Sequence, residues 1–113
     1  MDLGLSGKAA IVGGASQGIG FAIARLLAAE GAQVAMVARR REPLDHAVAE
    51  VGKIAAPHGG CAFGIAADIR KADDCARIVV AATEAFGRLD ILVNNDGAPP
   101  LGRLDEFDDA AWS

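Results

Sequence analysis

Three glycines carry the first chemical suggestion in the chain. Gly14, Gly18 and Gly20 stand in the run Gly14-Ala15-Ser16-Gln17-Gly18-Ile19-Gly20, directly after Gly13. A glycine-rich turn lets backbone come close to an anion, because no Cβ stands in the way. Where such a turn opens a helix, the first N–H groups of that helix and the positive end of its dipole face the same anion. The chemistry on offer is phosphate binding. A second group of residues would extend it: Arg39, Arg40 and Arg41 follow one another after an apolar run. Guanidinium forks match phosphate oxygens two at a time. Three cations placed just before a helix oppose its dipole by about 0.3–1 kcal/mol each, which argues against an idle role. Asp68 with Ile69, and the stretch Asn94-Asn95-Asp96-Gly97, close two further apolar runs.

These residues need elements to position them, and hydrophobic periodicity supplies the elements. Lys8 to Val12 reads as a strand, and Phe21 to Glu30 as a helix with Ile19, Ala22, Ile23, Leu26 and Glu30 at helical spacing along an apolar face. Gly31 is placed to end that helix in a left-handed turn. Gln33 to Ala38 reads as a second strand. Arg39 to Glu42 reads as a loop, with Pro43 in the first turn of a helix reaching about Ala55. Pro57 to Gly60 is a turn, Cys61 to Ala67 a third strand, and about Lys71 to Phe86 a third helix stopped by Gly87. Asp90 to Asn94 is a fourth strand, and a further helix begins near Leu104. Strands alternating with helices imply right-handed crossovers and a parallel sheet, here a doubly wound α/β fold of strand order 3-2-1-4. In such sheets ligands bind outside the carboxyl ends of the strands, where the winding reverses. The glycine turn, the arginines, Asp68 and Asn94 to Gly97 all fall at those ends.

The spacing Gly-x-x-x-Gly-x-Gly differs from the common G-x-G-x-x-G fingerprint. It resembles the short-chain dehydrogenase/reductase family, and so does Asn94-Asn95-Asp96-Gly97, which is similar to that family's Asn-Asn-Ala-Gly segment after the fourth strand. The resemblance covers the whole chain. It implies a nicotinamide dinucleotide cofactor held by Gly14, Ser16, Gln17, Gly18, Ile19 and Gly20, with Asn94, Asn95 and Gly97 steadying the sheet and bordering the cofactor. It implies an adenine contact for Asp68, with Ile69 lining the same pocket; a helix cap is an equal alternative for Asp68. Where many dinucleotide-binding domains have an acid that bonds the ribose, this chain has Ala38 followed by Arg39 and Arg40. A carboxylate would repel a 2′-phosphate and arginine binds it, so NADP(H) is expected over NAD(H). Two positions depart from the family: Gly13 replaces threonine and Asp96 replaces alanine. The family's threonine hydroxyl ties the glycine turn to the Asn-Asn-Ala-Gly segment, so both departures bear on one contact and on cofactor affinity.

The resemblance also implies hydride transfer between the nicotinamide and a carbonyl or alcohol substrate, by a serine and a Tyr-x-x-x-Lys pair. The chain has no tyrosine. Catalytic residues are therefore expected beyond Trp112, and these 113 residues are expected to be inactive, as the cofactor-binding front half of a longer protein. A complete, small, non-catalytic NADP(H)-binding protein is the alternative. A methyltransferase-type domain is disfavoured by the arginines and Asn94-Asn95. His46 and His58 read as surface histidines remote from the strand ends. Ile91, Leu92 and Val93 read as a strand covered on both faces, which requires a later segment or a partner chain to cover it and Trp112.

A net charge of −4 gives no basic balance for nucleic acid or an anionic membrane. Hydrophobic residues reach 52% with only 4% aromatic, so the core is expected to be aliphatic. Cys61 and Cys75 lack metal-type spacing and read as buried free thiols. No signal peptide or membrane span is visible, so a cytoplasmic protein is expected; the family resemblance implies a homo-oligomer acting on a small molecule.

Overall fold

Alternating runs of aliphatic residues make two strands that are buried along nearly their whole length, and the helices take their places around them. A computed structural model describes residues 4–94. The elements are β1 (Ala9–Gly13), α1 (Gly18–Ala29), β2 (Gln33–Ala38), α2 (Arg41–Ala55), a short 3-10 turn (Ala56–His58), β3 (Cys61–Ala66), α3 (Ala72–Phe86) and β4 (Ile91–Asn94). The four strands form one parallel sheet in the order β3-β2-β1-β4. This is the expected doubly wound arrangement. Asn95, Asp96, Gly97, Leu104 and Trp112 lie outside the described residues.

The period-two alternation of the strands divides the core. Ala10, Val12, Val34 and Met36 face one side, against Ala24 and Leu27 of α1 and Leu44, Ala47 and Val51 of α2. Ile11, Ala35, Val37 and Ile65 face the other, against Ile78 and Ala82 of α3. Each large aliphatic side chain so buried contributes about 1.5–3 kcal/mol. Phe63 of β3 meets Phe86 of α3 edge to face, with ring centroids 5.3 Å apart. The next residue, Gly64, faces α2; a Cβ there would lie 3.0 Å from Val48 and 3.1 Å from Leu44, so the missing side chain lets α2 sit close on β3.

Helix α1 corrects the sequence reading at two points. It begins at Gly18, three residues earlier than expected, and its buried face is Gly20, Ala24, Leu27 and Ala28. Ile19 and Leu26, expected inside, are each 68% exposed. Two helical stripes were available, at the same spacing but different rotation. A Cβ on Gly20 would overlap the carbonyl oxygen of Gly14, so the helix turns its smallest residues toward the turn and sheet. Helix α2 starts at Arg41 and continues through Gly52 to Ala55. Gly31 and Gly87 end α1 and α3 as expected, with φ of 86° and 75°. Cys75 is half-buried, but Cys61, expected to be buried, is exposed. It occupies the first position of β3, at the edge of the described sheet. Among the described residues no helix is long and apolar enough to cross a membrane.

Candidate functional site

The connection from β1 to α1 is shaped by backbone rather than side chains. Gly14 and Gly18 adopt left-handed conformations, with φ of 62° and 64°, where a Cβ is strongly disfavoured. Gly20 packs against Gly14, closing the turn. The Ala15 N–H donates to the Val37 carbonyl at 3.0 Å and fastens the turn to the end of β2. Gln17 caps α1 with extended backbone and no side-chain bond, and the first turn carries no acid. The first N–H groups of a helix have no partner within it, and the first turn of α1 itself brings no carboxylate to compete for them. Space is open where a Cβ of Gly18 would stand. An anion can therefore come up to the backbone at this turn.

A cavity of about 690 Å³ opens beside it, outside the carboxyl ends of the strands. The turn contributes Gly14, Ser16, Gln17, Gly18 and Ile19; the end of β2 contributes Val37, Ala38, Arg39 and Arg40. Ala67 and Ile69, after β3, form the wall on that side. Ile19 is a large apolar residue left exposed by the fold, and it borders this space. Arg39 and Arg40 are both exposed and supply positive charge at the mouth.

Asp68 is placed differently. It does not line the cavity. Its carboxylate accepts from Arg70 Nε at 3.0 Å and Nη2 at 3.1 Å, and from the Arg70 backbone N–H at 3.0 Å. These bonds, helped by the Arg70 and Arg39 charges, hold the carboxyl at about 2, below its ordinary 3.8. The Asp68 N–H donates to Asp74 Oδ2 at 2.7 Å, and the Cys75 thiol donates to the Ile69 carbonyl at 2.8 Å. Burial, then the charges of Asp74 and Asp68, push that thiol above its ordinary range. The segment carrying Ile69 is thus clamped to the first turn of α3 on either side. The cap of α3 is Lys71, without a side-chain bond, so Asp68 shapes the preceding turn and is not the helix cap.

Asn94 sits opposite Gly13 in the β1–β4 register. A Cβ on Gly13 would lie 3.5 Å from Asn94 Oδ1 and 2.9 Å from Ile69 Cδ1. The space a side chain would take at position 13 is filled by Ile69, which explains why glycine stands there. Asn95, Asp96 and Gly97 lie outside the described residues.

Glu42, Pro43 and His46 also line the cavity, and sequence reasoning left them out. His46 is exposed as expected but is not remote from the strand ends. Because α2 starts directly after Arg40, its first two turns run along the mouth. The i, i+4 spacing of Glu42 and His46 was the available signal. His58 lies in the exposed turn before β3, away from the cavity.

A sequence model of the family described as short chain dehydrogenase matches residues 8–113. The chain belongs to the short-chain dehydrogenase/reductase family. An oxidoreductase of Methylorubrum extorquens is 42% identical over 102 residues, which are 90% of this chain and 40% of that protein. The chain thus spans two fifths of the length of this curated relative. L-sorbose reductase from Gluconobacter frateurii, solved with NADPH and L-sorbose, superposes with a TM-score of 0.78 at 35% identity, covering 94% of this chain and 41% of that one. A metagenomic short-chain oxidoreductase solved with NADP gives 0.71 at 38% identity, covering 91% and 48%. An NAD+-bound xylitol dehydrogenase gives 0.70 at 32% identity, covering 78% and 32%. Short-chain dehydrogenase/reductase structures therefore share this sheet and its order, with either cofactor.

Proposed function

We propose that this chain is the cofactor-binding front half of a short-chain oxidoreductase that uses NADP(H) in preference to NAD(H). The observation that carries the preference is the end of β2: Ala38, Arg39 and Arg40 line the same cavity as the glycine turn. The position that would hold a ribose-binding carboxylate is an alanine, and two guanidinium groups follow it. The open amide end of α1 fits a pyrophosphate, and Ile69 offers an apolar wall for an adenine. In this reading Gly14, Ser16, Gln17, Gly18 and Ile19 bind the cofactor, Gly20 shapes the turn, and Asp68 positions the Ile69 segment through Arg70. Asn94 belongs to the segment that borders the cofactor in the same reading; for Asn95 and Gly97, outside the described residues, that role rests on the family resemblance alone. NADP(H), when bound, supplies or accepts the hydride; the residues here bind and orient it.

The solved relatives that carry NADPH or NADP support this reading, and the NAD+-bound relative makes the test necessary. The reacting partner in the whole protein is a small carbonyl or alcohol compound, and the assembly a homo-oligomer. Titration of the full-length protein with each cofactor tests the reading. Arg39→Ala should weaken NADPH by about 1.5–3 kcal/mol, the worth of a charged hydrogen bond, and change NADH little. Equal losses for the two cofactors would refute the assignment.

A further inference from the structure

The charges around this cavity are mixed in sign. Arg39 and Arg40 face it from the end of β2, and Glu42 and His46 face it from α2, one helical turn apart. His46 is exposed and is not needed for packing; the inward residues of α2 are Leu44, Ala47, Val51 and Ala55. The neighbouring acid, Asp45, is paired with Arg41 at 3.3 Å and does not line the cavity. On the β3 side the Asp68 carboxylate is engaged by Arg70. From α1 comes only the positive end of the helix, with no acid in its first turn. Glu42 is thus the carboxylate that faces the cavity among the described residues, and His46 lines the cavity one helical turn further along α2.

We propose that His46 is a specificity-determining contact of this cavity, whose proton state sets how strongly a 2′-phosphorylated dinucleotide is preferred to its unphosphorylated form. The inference rests on the NADP(H) reading above. An imidazolium at this position adds an N–H donor and a positive charge beside Arg39 and Arg40, and it masks Glu42. A neutral imidazole leaves Glu42 to oppose the phosphate. Imidazole is the side chain whose ordinary proton exchange falls between about pH 5 and 8. A phosphate monoester loses its own second proton near pH 6, which acts in the opposite direction. The two effects separate only by comparison with a protein that keeps the phosphate and lacks the imidazole.

The experiment is direct titration of the full-length protein with NADPH and with NADH from about pH 5.5 to 8.5, for wild type, His46→Gln and Glu42→Gln. The wild-type ratio of NADPH to NADH affinity is expected to fall with rising pH by roughly two- to fivefold more than the ratio of His46→Gln, the worth of one exposed charge contact. Glu42→Gln should raise the ratio, and by more toward the alkaline end of the range. Superimposable pH profiles for wild type and His46→Gln would overturn the proposal while leaving an NADPH preference intact. Absence of any NADPH preference at every pH would remove the cofactor reading, and this contact with it. His46 is exposed, so a folding defect is not expected; the Glu42→Gln arm decides the matter independently, since an unchanged ratio there would also count against the proposal.

Discussion

A methyl group added at Gly20 would overlap the carbonyl oxygen of Gly14, whereas one added at Gly13 would meet the end of the Ile69 side chain, 2.9 Å away. Backbone cannot give way as a side-chain terminus can. Gly20→Ala should therefore cost about 1–3 kcal/mol of stability, the range for an overpacked interior. Gly13→Ala should cost clearly less and act on the site, because Ile69 would have to swing within the cavity wall. Threonine, the residue of the family pattern at position 13, would demand a larger movement of Ile69. Urea unfolding of the two alanine variants checks the order; equal costs would show that the turn itself yields.

At the scale of the elements, α2 contains one residue that weakens it without a packing reason. Nothing lies within 4 Å of a Cβ built on Gly52, and its backbone carries no positive φ. Gly52→Ala should stabilise the protein by about 0.5–1 kcal/mol, through helix propensity and a less flexible unfolded chain. A lower unfolding midpoint for this variant would contradict the placement of Gly52 in an open helix interior. The entry to β4 is held by charge instead. Asp90 accepts from Arg88 at 2.7 and 2.8 Å and from the Ala9 N–H at 2.9 Å. Those bonds lower its carboxyl from 3.8 to about 2. A depressed folded value contributes stability that is present above pH 3.8 and is lost as pH falls toward about 2. Asp90→Asn should accordingly be less stable than wild type near neutral pH, with the gap closing through that acid window. A gap that stays constant down to pH 2 would mean that the Arg88–Asp90–Ala9 link adds nothing measurable.

For the molecule as a whole, the described sheet has β4 at one edge. Among the described residues β4 pairs only with β1, and Ile91, Leu92 and Val93 are half-buried. The described residues supply a glycine turn, two cations at the mouth of the cavity and an apolar wall. It contains no tyrosine to act as the family's proton donor. The 113 residues by themselves should show no oxidoreductase turnover with NADPH or NADH over a panel of ketones and alcohols. Activity that survives purification to a single species of this length would show that the catalytic groups lie elsewhere than the family resemblance implies.

The order of elements was legible in the chain alone because it rests on local signals, and the parallel sheet with strand order 3-2-1-4 followed from the doubly wound fold class that the alternation of strands and helices implies. Aliphatic runs of strand length, helical periodicity and the glycines Gly31 and Gly87 at helix ends are written within a few neighbouring residues. The glycine turn and Arg39-Arg40 were legible for the same reason: both follow strands directly. The rotation of α1 was not, since Ile19, Ala22 and Leu26 make as good a stripe as Gly20, Ala24 and Leu27. The contact of Gly20 with Gly14 across the turn chose between them. The space beside Gly13 and the arrival of His46 at the cavity likewise depended on contacts between segments distant in sequence, or on how one helix lies against the sheet. Periodicity assigns a residue to an element; only the packed structure decides what that residue faces.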